Sequence, residues 1–291
     1  PSFLSGVGIL TLSSLTVKVI GLFYRIPLLN YLGTEGMGYF NTAYELYALF
    51  CVISTAGLPV AMSVLIASFE AEGNSHDAGR VFRVALALFA GVGGIGTLLL
   101  WGLSAPFAAL LGSPLSAACM RAISPTVLLI CLSSAFRGYF QGKGQMLPTA
   151  ISQVMEAAGK LFLGLTLAAY ARSVGKDLPT IAAYAVLGLT VGTALSVVYL
   201  LCHKTLTDRR EPLSAVTPCG EPRPILKPLL ATAIPVTVSA GIISLTKCVD
   251  LALILRRLQD LGHTAAYASS MYGCYSTLAV PLFNILPSLT T

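Results

Sequence analysis

Charge is what this sequence has least of. Only 10% of its 291 residues are charged, where a soluble domain carries about 25%. So few charges cannot cover a water-facing surface, and a soluble globular fold is excluded. Metal and disulfide chemistry are as poorly provided. Seven cysteines are scattered, six of them in or at the edges of apolar runs, and no Cys-x-x-Cys pair occurs. His76, His203 and His263 each sit at a loop edge with no ligand partner at helical spacing. No nucleophile and base occur in an arrangement that suggests catalysis. The residues therefore point to no enzyme, no catalytic residue, no metal and no cofactor. The net charge of +6 does not suggest nucleic acid, because most cations lie in short loops between apolar runs and form no single basic face.

What fills the chain is apolar. Hydrophobic residues make up 55% and the mean hydropathy is +0.80. Apolar length and helix breakers predict eight membrane helices, since a span needs roughly 20 such residues. They are Phe3–Tyr31, Tyr39–Phe69, Gly79–Ala105, Ser116–Gln141, Pro148–Arg172, Pro179–Lys204, Ile225–Arg257 and Thr264–Thr291. Gly33-Thr34-Glu35-Gly36 separates the first pair, and Gly112-Ser113-Pro114 separates the third from the fourth. The second and seventh exceed a bilayer, so Gly57-Leu58-Pro59 and Pro235 are expected kinks. The first segment is too long for a signal peptide and has neither a basic leader nor a cleavage site. The chain begins at Pro1 and stops inside an apolar run, which suggests a piece of a longer protein.

Loop cations set the expected orientation. Arg80, Arg83, Lys143, Lys204, Arg209, Arg210, Arg223 and Lys227 outnumber Arg121, Arg172, Lys176, Arg256 and Arg257 on the opposite side. The richer side is read as cytoplasmic, with the N-terminus inside. The Pro-rich stretch 205–224 reads as a cytoplasmic linker between a six-helix lobe, residues 1–204, and the first two helices of a second lobe, residues 225–291.

A repeat supports that division. Tyr39, Tyr44, Tyr47, Leu58 and Pro59 recur as Tyr267, Tyr272, Tyr275, Leu286 and Pro287, each at an offset of 228. The copies lie six helices apart along the chain, an even number, so both copies have the same topology. Two lobes related by an axis along the membrane normal, with a substrate path between them, follow from that arrangement.

Ionisable residues at membrane depth are costly and tend to face water or a partner. Lys18 and Arg25 lie in the first span, seven residues apart and on one helical face. Glu45, one turn into the second span, reads either as a cavity acid or as an interfacial residue. Arg137 near the end of the fourth span is deep enough to face a cavity. Gln153, Glu156 and Lys160 form one stripe on the fifth, which either lines a cavity or holds an intrahelical Glu–Lys pair. Lys247 and Asp250 share a face of the seventh. Together these residues describe a cavity richer in cations than in acids. It suits an anion, since Arg and Lys bind phosphate oxygens.

Several runs are recognisable as a set. Gly-Leu-Phe-Tyr-Arg-Ile-Pro at 21–27, Leu-Gly-Thr-Glu-Gly-Met-Gly-Tyr at 32–39, Ser-Thr-Ala-Gly-Leu-Pro-Val-Ala at 54–61, Phe-Arg-Gly-Tyr-Phe-Gln-Gly at 136–142 and Pro-Thr-Ala-Ile-Ser-Gln at 148–153 carry the likeness. The chain resembles the stage V sporulation protein B and polysaccharide biosynthesis transporter family. That family belongs to the superfamily of lipid II flippases and multidrug and toxic compound extrusion transporters. The resemblance implies an all-α, polytopic, two-lobed exporter of 12 to 14 helices working by alternating access. The substrate it implies is a polyprenyl-pyrophosphate-linked sugar, such as a peptidoglycan precursor, moved to the outer leaflet of the bacterial cytoplasmic membrane. Membrane lipid would be a further partner and a cell-wall synthase a candidate one. Cations of the first helix enter the cavity in this family, and Lys18 and Arg25 match in kind. A cation-coupled drug exporter of the same fold and a non-transporting scaffold in cell-wall or spore assembly are the competing readings. Drug exporters tend to use membrane-embedded acids, whereas this first helix has cations and no Asp or Glu.

Overall fold

The computed structural model describes residues 3–210 and 225–280. They form nine helices: α1 (Phe3–Thr55), α2 (Leu58–Ala71), α3 (Ser75–Gly102), α4 (Ser104–Leu110), α5 (Ala117–Gly142), α6 (Met146–Ser173), α7 (Leu178–Arg210), α8 (Leu226–Asp260) and α9 (Ala265–Cys274). A 3₁₀ turn, Pro114–Ser116, precedes α5, and a π-helical turn, Tyr275–Ala279, follows α9. Among the described residues there is no strand.

α1 is two membrane passes joined by a reversal. Gly33 sits at φ 63, ψ −176, a conformation open to glycine and closed to residues with a Cβ. The Tyr24 and Phe40 rings lie 6.2 Å apart, whereas sixteen residues along a straight helix span about 24 Å. The break expected at 33–36 is thus one glycine, and helix resumes at once after it. The second pass ends at Thr55 and the helix restarts at Leu58. Pro59 in the first turn of α2 has no N–H to donate, and the free amide of Gly57 donates to Thr237 Oγ1 at 3.2 Å.

Among the described residues, six stretches are long and apolar enough to cross a membrane, the first of them the double pass from Gly6 to Ala71. The outward-facing surface is greasy: Leu98 is 70% exposed and Phe162 67%. Large apolar side chains facing outward along α1, α2, α3, α6, α7 and α8 mark a lipid-facing surface. This is a multi-pass helical membrane protein.

Backbone proximity holds the bundle together. Gly159 of α6 meets Gly192 of α7, and Gly164 meets Gly188. Small residues let membrane helices approach closely where no hydrophobic drive exists between them. One core gathers Tyr24, Leu28, Leu32 and Phe40 of α1 with Ile123 of α5, Val186 of α7 and Leu255 of α8. A second joins α2, α3 and α5 through Met62, Ile66, Phe82, Phe89 and Phe140.

Some boundaries differ from expectation. A short helix, α4, fills part of the expected loop before Gly112. α7 continues to Arg210, six residues into the expected linker, because no Pro or Gly interrupts it before Pro212. The rest of that linker, and Leu286 and Pro287 of the repeat, lie outside the described residues.

α9 and the second arm of α1, the two helices that share the repeated tyrosines, run parallel. Thr34 Oγ1 and Ser270 Oγ are 2.6 Å apart, and further along Asn41 Nδ2 donates to Ser276 Oγ at 2.7 Å and Thr277 Oγ1 at 2.9 Å. Equal topology of the two copies requires that direction.

Candidate functional site

A cavity of about 400 Å³ opens between α1, α5, α6 and α7. Its wall contains Lys18 and Tyr24 from the first arm of α1, Tyr44 from the second, Arg137 from α5, and Gln153, Glu156 and Lys160 from α6. Helical periodicity places the first set: Ser14, Val17, Lys18, Gly21 and Tyr24 all line the cavity at spacings of three and four. The reversal at Gly33 then folds Tyr44 back beside Tyr24.

Arg137 and Glu156 form an ion pair across two helices. Nη2 of Arg137 donates to Glu156 Oε2 at 2.8 Å, and the side chains are 14% and 17% exposed. Nε donates to Ser152 Oγ at 2.9 Å, and Nη2 also reaches Ser196 Oγ at 3.3 Å. The guanidinium thereby ties α5 to α6 and α7. The intrahelical Glu156–Lys160 pair left open by the sequence is not the one that forms.

Lys160 lies instead against aromatic faces. Its Nζ is 5.0 Å from the Tyr24 ring centroid and 4.9 Å from that of Tyr44, within cation–π range. Both rings are held: Tyr24 donates to the Ala185 carbonyl at 3.3 Å, and Tyr44 stacks on Phe40 at an interplanar angle of 8°. Gln153 Oε1 accepts from Ser13 Oγ at 3.0 Å, which fixes α6 against α1.

Five of the nine residues singled out in the sequence therefore meet in one cavity: Lys18, Arg137, Gln153, Glu156 and Lys160. The other four do not line it. Arg25 shares the face of Lys18 but lies two turns further along, where Nη1 donates to the Ser276 carbonyl at 3.4 Å, against the turn after α9. Glu45 sits where α1 meets α8, its carbonyl facing Cys248 Sγ at 3.6 Å and its carboxylate within electrostatic reach of Lys247 and Arg25. Lys247 and Asp250 each precede a buried residue of α8, Cys248 and Leu251, and a step of one residue turns a side chain about 100° away. Both are exposed.

Tyr24, Ser152 and Ser196 escaped the sequence reading. Tyr24 could have been found from the stripe at 14, 17, 18, 21 and 24; the two serines could not, since their partner Arg137 lies on another helix. Among the described residues no group of three or more His, Cys, Asp or Glu side chains could hold a metal ion.

Comparison with known proteins fits this architecture. The sequence model described as "Polysaccharide biosynthesis protein" matches residues 3–290. The chain belongs to that family. It is 27% identical over 299 residues to stage V sporulation protein B of Bacillus subtilis (strain 168), covering 100% of this chain and 56% of that protein. It is 31% identical over 163 residues to the lipid II flippase MurJ of the same organism, covering 53% of this chain and 30% of that one. The chain thus spans about half the length of the sporulation protein. Among solved structures, a multidrug resistance MATE family transporter of the MOP superfamily in its inward-facing conformation superposes with a TM-score of 0.62 at 15% identity. That likeness covers 92% of this chain and 62% of that structure, and it is a likeness of fold.

Proposed function

We propose that this chain is part of a flippase that carries a polyprenyl-pyrophosphate-linked sugar, such as lipid II or a related polysaccharide precursor, to the outer leaflet of the bacterial cytoplasmic membrane. The single observation behind this reading is the charge of the cavity. Lys18, Arg137 and Lys160 face it with one carboxylate, Glu156, so two positive charges are uncompensated in their ordinary ionisation. A low-dielectric, cation-lined cavity concentrates anions. The pyrophosphate would enter it while the polyprenyl tail stays in lipid. The N-terminus would be cytoplasmic and transport would proceed by alternating access. The likeness to a flippase named for lipid II supports the substrate class.

The second reading is a drug exporter of the same fold, for which Glu156 is the one carboxylate on the cavity wall. That carboxylate is bonded to Arg137 at 2.8 Å and offers an organic cation little. Full-length protein in liposomes separates the two. Transfer of a labelled lipid-linked pyrophosphate sugar between leaflets, without efflux of a cationic dye, is the expected outcome. Dye efflux without lipid transfer would overturn it.

A further inference from the structure

The cations of the cavity differ in what already holds them. Arg137 is engaged three times, by Ser152, Glu156 and Ser196. For this guanidinium to take a phosphate it would have to leave Glu156, and an unpaired carboxylate would then remain beside an incoming anion. Lys160 is placed differently. A Lys four residues after a Glu on one helix ordinarily pairs with it. Here Glu156 is turned to Arg137, and no carboxylate lies within 4.0 Å of Lys160 Nζ among the described residues. Its ammonium is seated over the faces of Tyr24 and Tyr44. Those rings attract a cation without neutralising it, so the positive charge remains presented to the cavity. Lys18 is the remaining cation on the wall, and no ion pair engages it among the described residues.

We infer that Lys160, seated between Tyr24 and Tyr44, takes the phosphate end of an anionic lipid in this cavity, and that Arg137 is a positioning residue. The Arg137–Glu156 pair keeps Glu156 away from Lys160 and joins three helices around the site. The ligand class is a phosphate ester or pyrophosphate on a lipid, recognised by an ammonium point charge, with no bidentate guanidinium fork. This assignment rests on the transport reading above.

The test uses full-length protein in lipid nanodiscs, with undecaprenyl pyrophosphate as the probe and undecaprenol as its uncharged counterpart. Lys160→Met is expected to weaken pyrophosphate binding by about tenfold or more, and Lys160→Arg, which keeps the charge, to stay within about threefold. Arg137→Gln alone leaves Glu156 bare and should weaken binding by about tenfold, whereas R137Q/E156Q removes a neutral pair and should lose less than about threefold. Wild-type affinity in Lys160→Met would overturn the assignment of Lys160, as would equal losses in Lys160→Met and Lys160→Arg. A loss in R137Q/E156Q as large as in Arg137→Gln would overturn the positioning role of Arg137. Wild-type protein that binds both probes equally would overturn the transport reading and this assignment with it.

Discussion

Gly38 and Gly273 stand where the second arm of α1 and α9 touch backbone to backbone. A Cβ on Gly38 would collide with the Ser269 carbonyl, and one on Gly273 with the Thr34 carbonyl. Neither obstacle is a flexible side-chain end, so the helices themselves would have to part. Gly38→Leu or Gly273→Leu is expected to destabilise the protein by about 1–3 kcal/mol, the usual cost of overpacking. Thermal unfolding of the purified protein in detergent measures this, and a midpoint equal to wild type would contradict the close approach.

The same seam offers a covalent probe. Thr34 Oγ1 and Ser270 Oγ are 2.6 Å apart, so sulfurs at the two positions fall within disulfide reach. In a background without the native cysteines, T34C/S270C should resist maleimide labelling after mild oxidation and accept two labels after reduction. If the second arm of α1 and α9 separate here during transport, oxidation will also stop lipid transfer and reductant will restore it. Full labelling after oxidation would show that the seam is not closed in the membrane.

Tyr24 carries two loads that can be separated. The ring is 2% exposed and packs against Phe40, while the hydroxyl makes a long bond, 3.3 Å, to the Ala185 carbonyl. Tyr24→Phe should cost about 1 kcal/mol or less, and Tyr24→Ala about 3–5 kcal/mol by opening a cavity. Tyr24→Phe should also leave lipid binding intact, because the seat of Lys160 is the ring. Equal losses of stability in the two variants would place the energy in the hydroxyl bond.

Much of this architecture is written locally in the sequence. The Gly33 break, the restart at Leu58-Pro59 and the apolar runs each follow from a few neighbouring residues. α4 escaped because Ser104–Leu110 is short and apolar, and nothing local distinguishes it from the end of α3. The Asn74 cap, whose side chain accepts from the Asp77 amide at 3.2 Å, starts α3 four residues before the expected Gly79. An Asn followed three residues later by an acid is a signal the sequence did carry.

The site divides the same way. Lys18 was legible because a cation in an apolar helix needs a polar face to look at. The stripe of Gln153, Glu156 and Lys160 was legible from spacing alone. Which partner Glu156 takes was not, since Arg137 lies 19 positions away on another helix. Lys247 and Asp250 were expected in a cavity because they are charged and share a face. Packing of α8 through Cys248, Leu251 and Leu255 turns that face outward in the described residues. Spacing reveals which residues travel together; the neighbouring helices decide what they face.

The central claim is that the cations of the cavity act on an anionic lipid. Its most direct test is the rate at which full-length protein in liposomes moves a labelled lipid-linked pyrophosphate sugar between leaflets, compared with the K18Q/K160Q variant. Removal of both free ammonium groups should slow transfer by about tenfold or more, with the protein still folded by circular dichroism. Transfer at the wild-type rate in that variant would contradict the account.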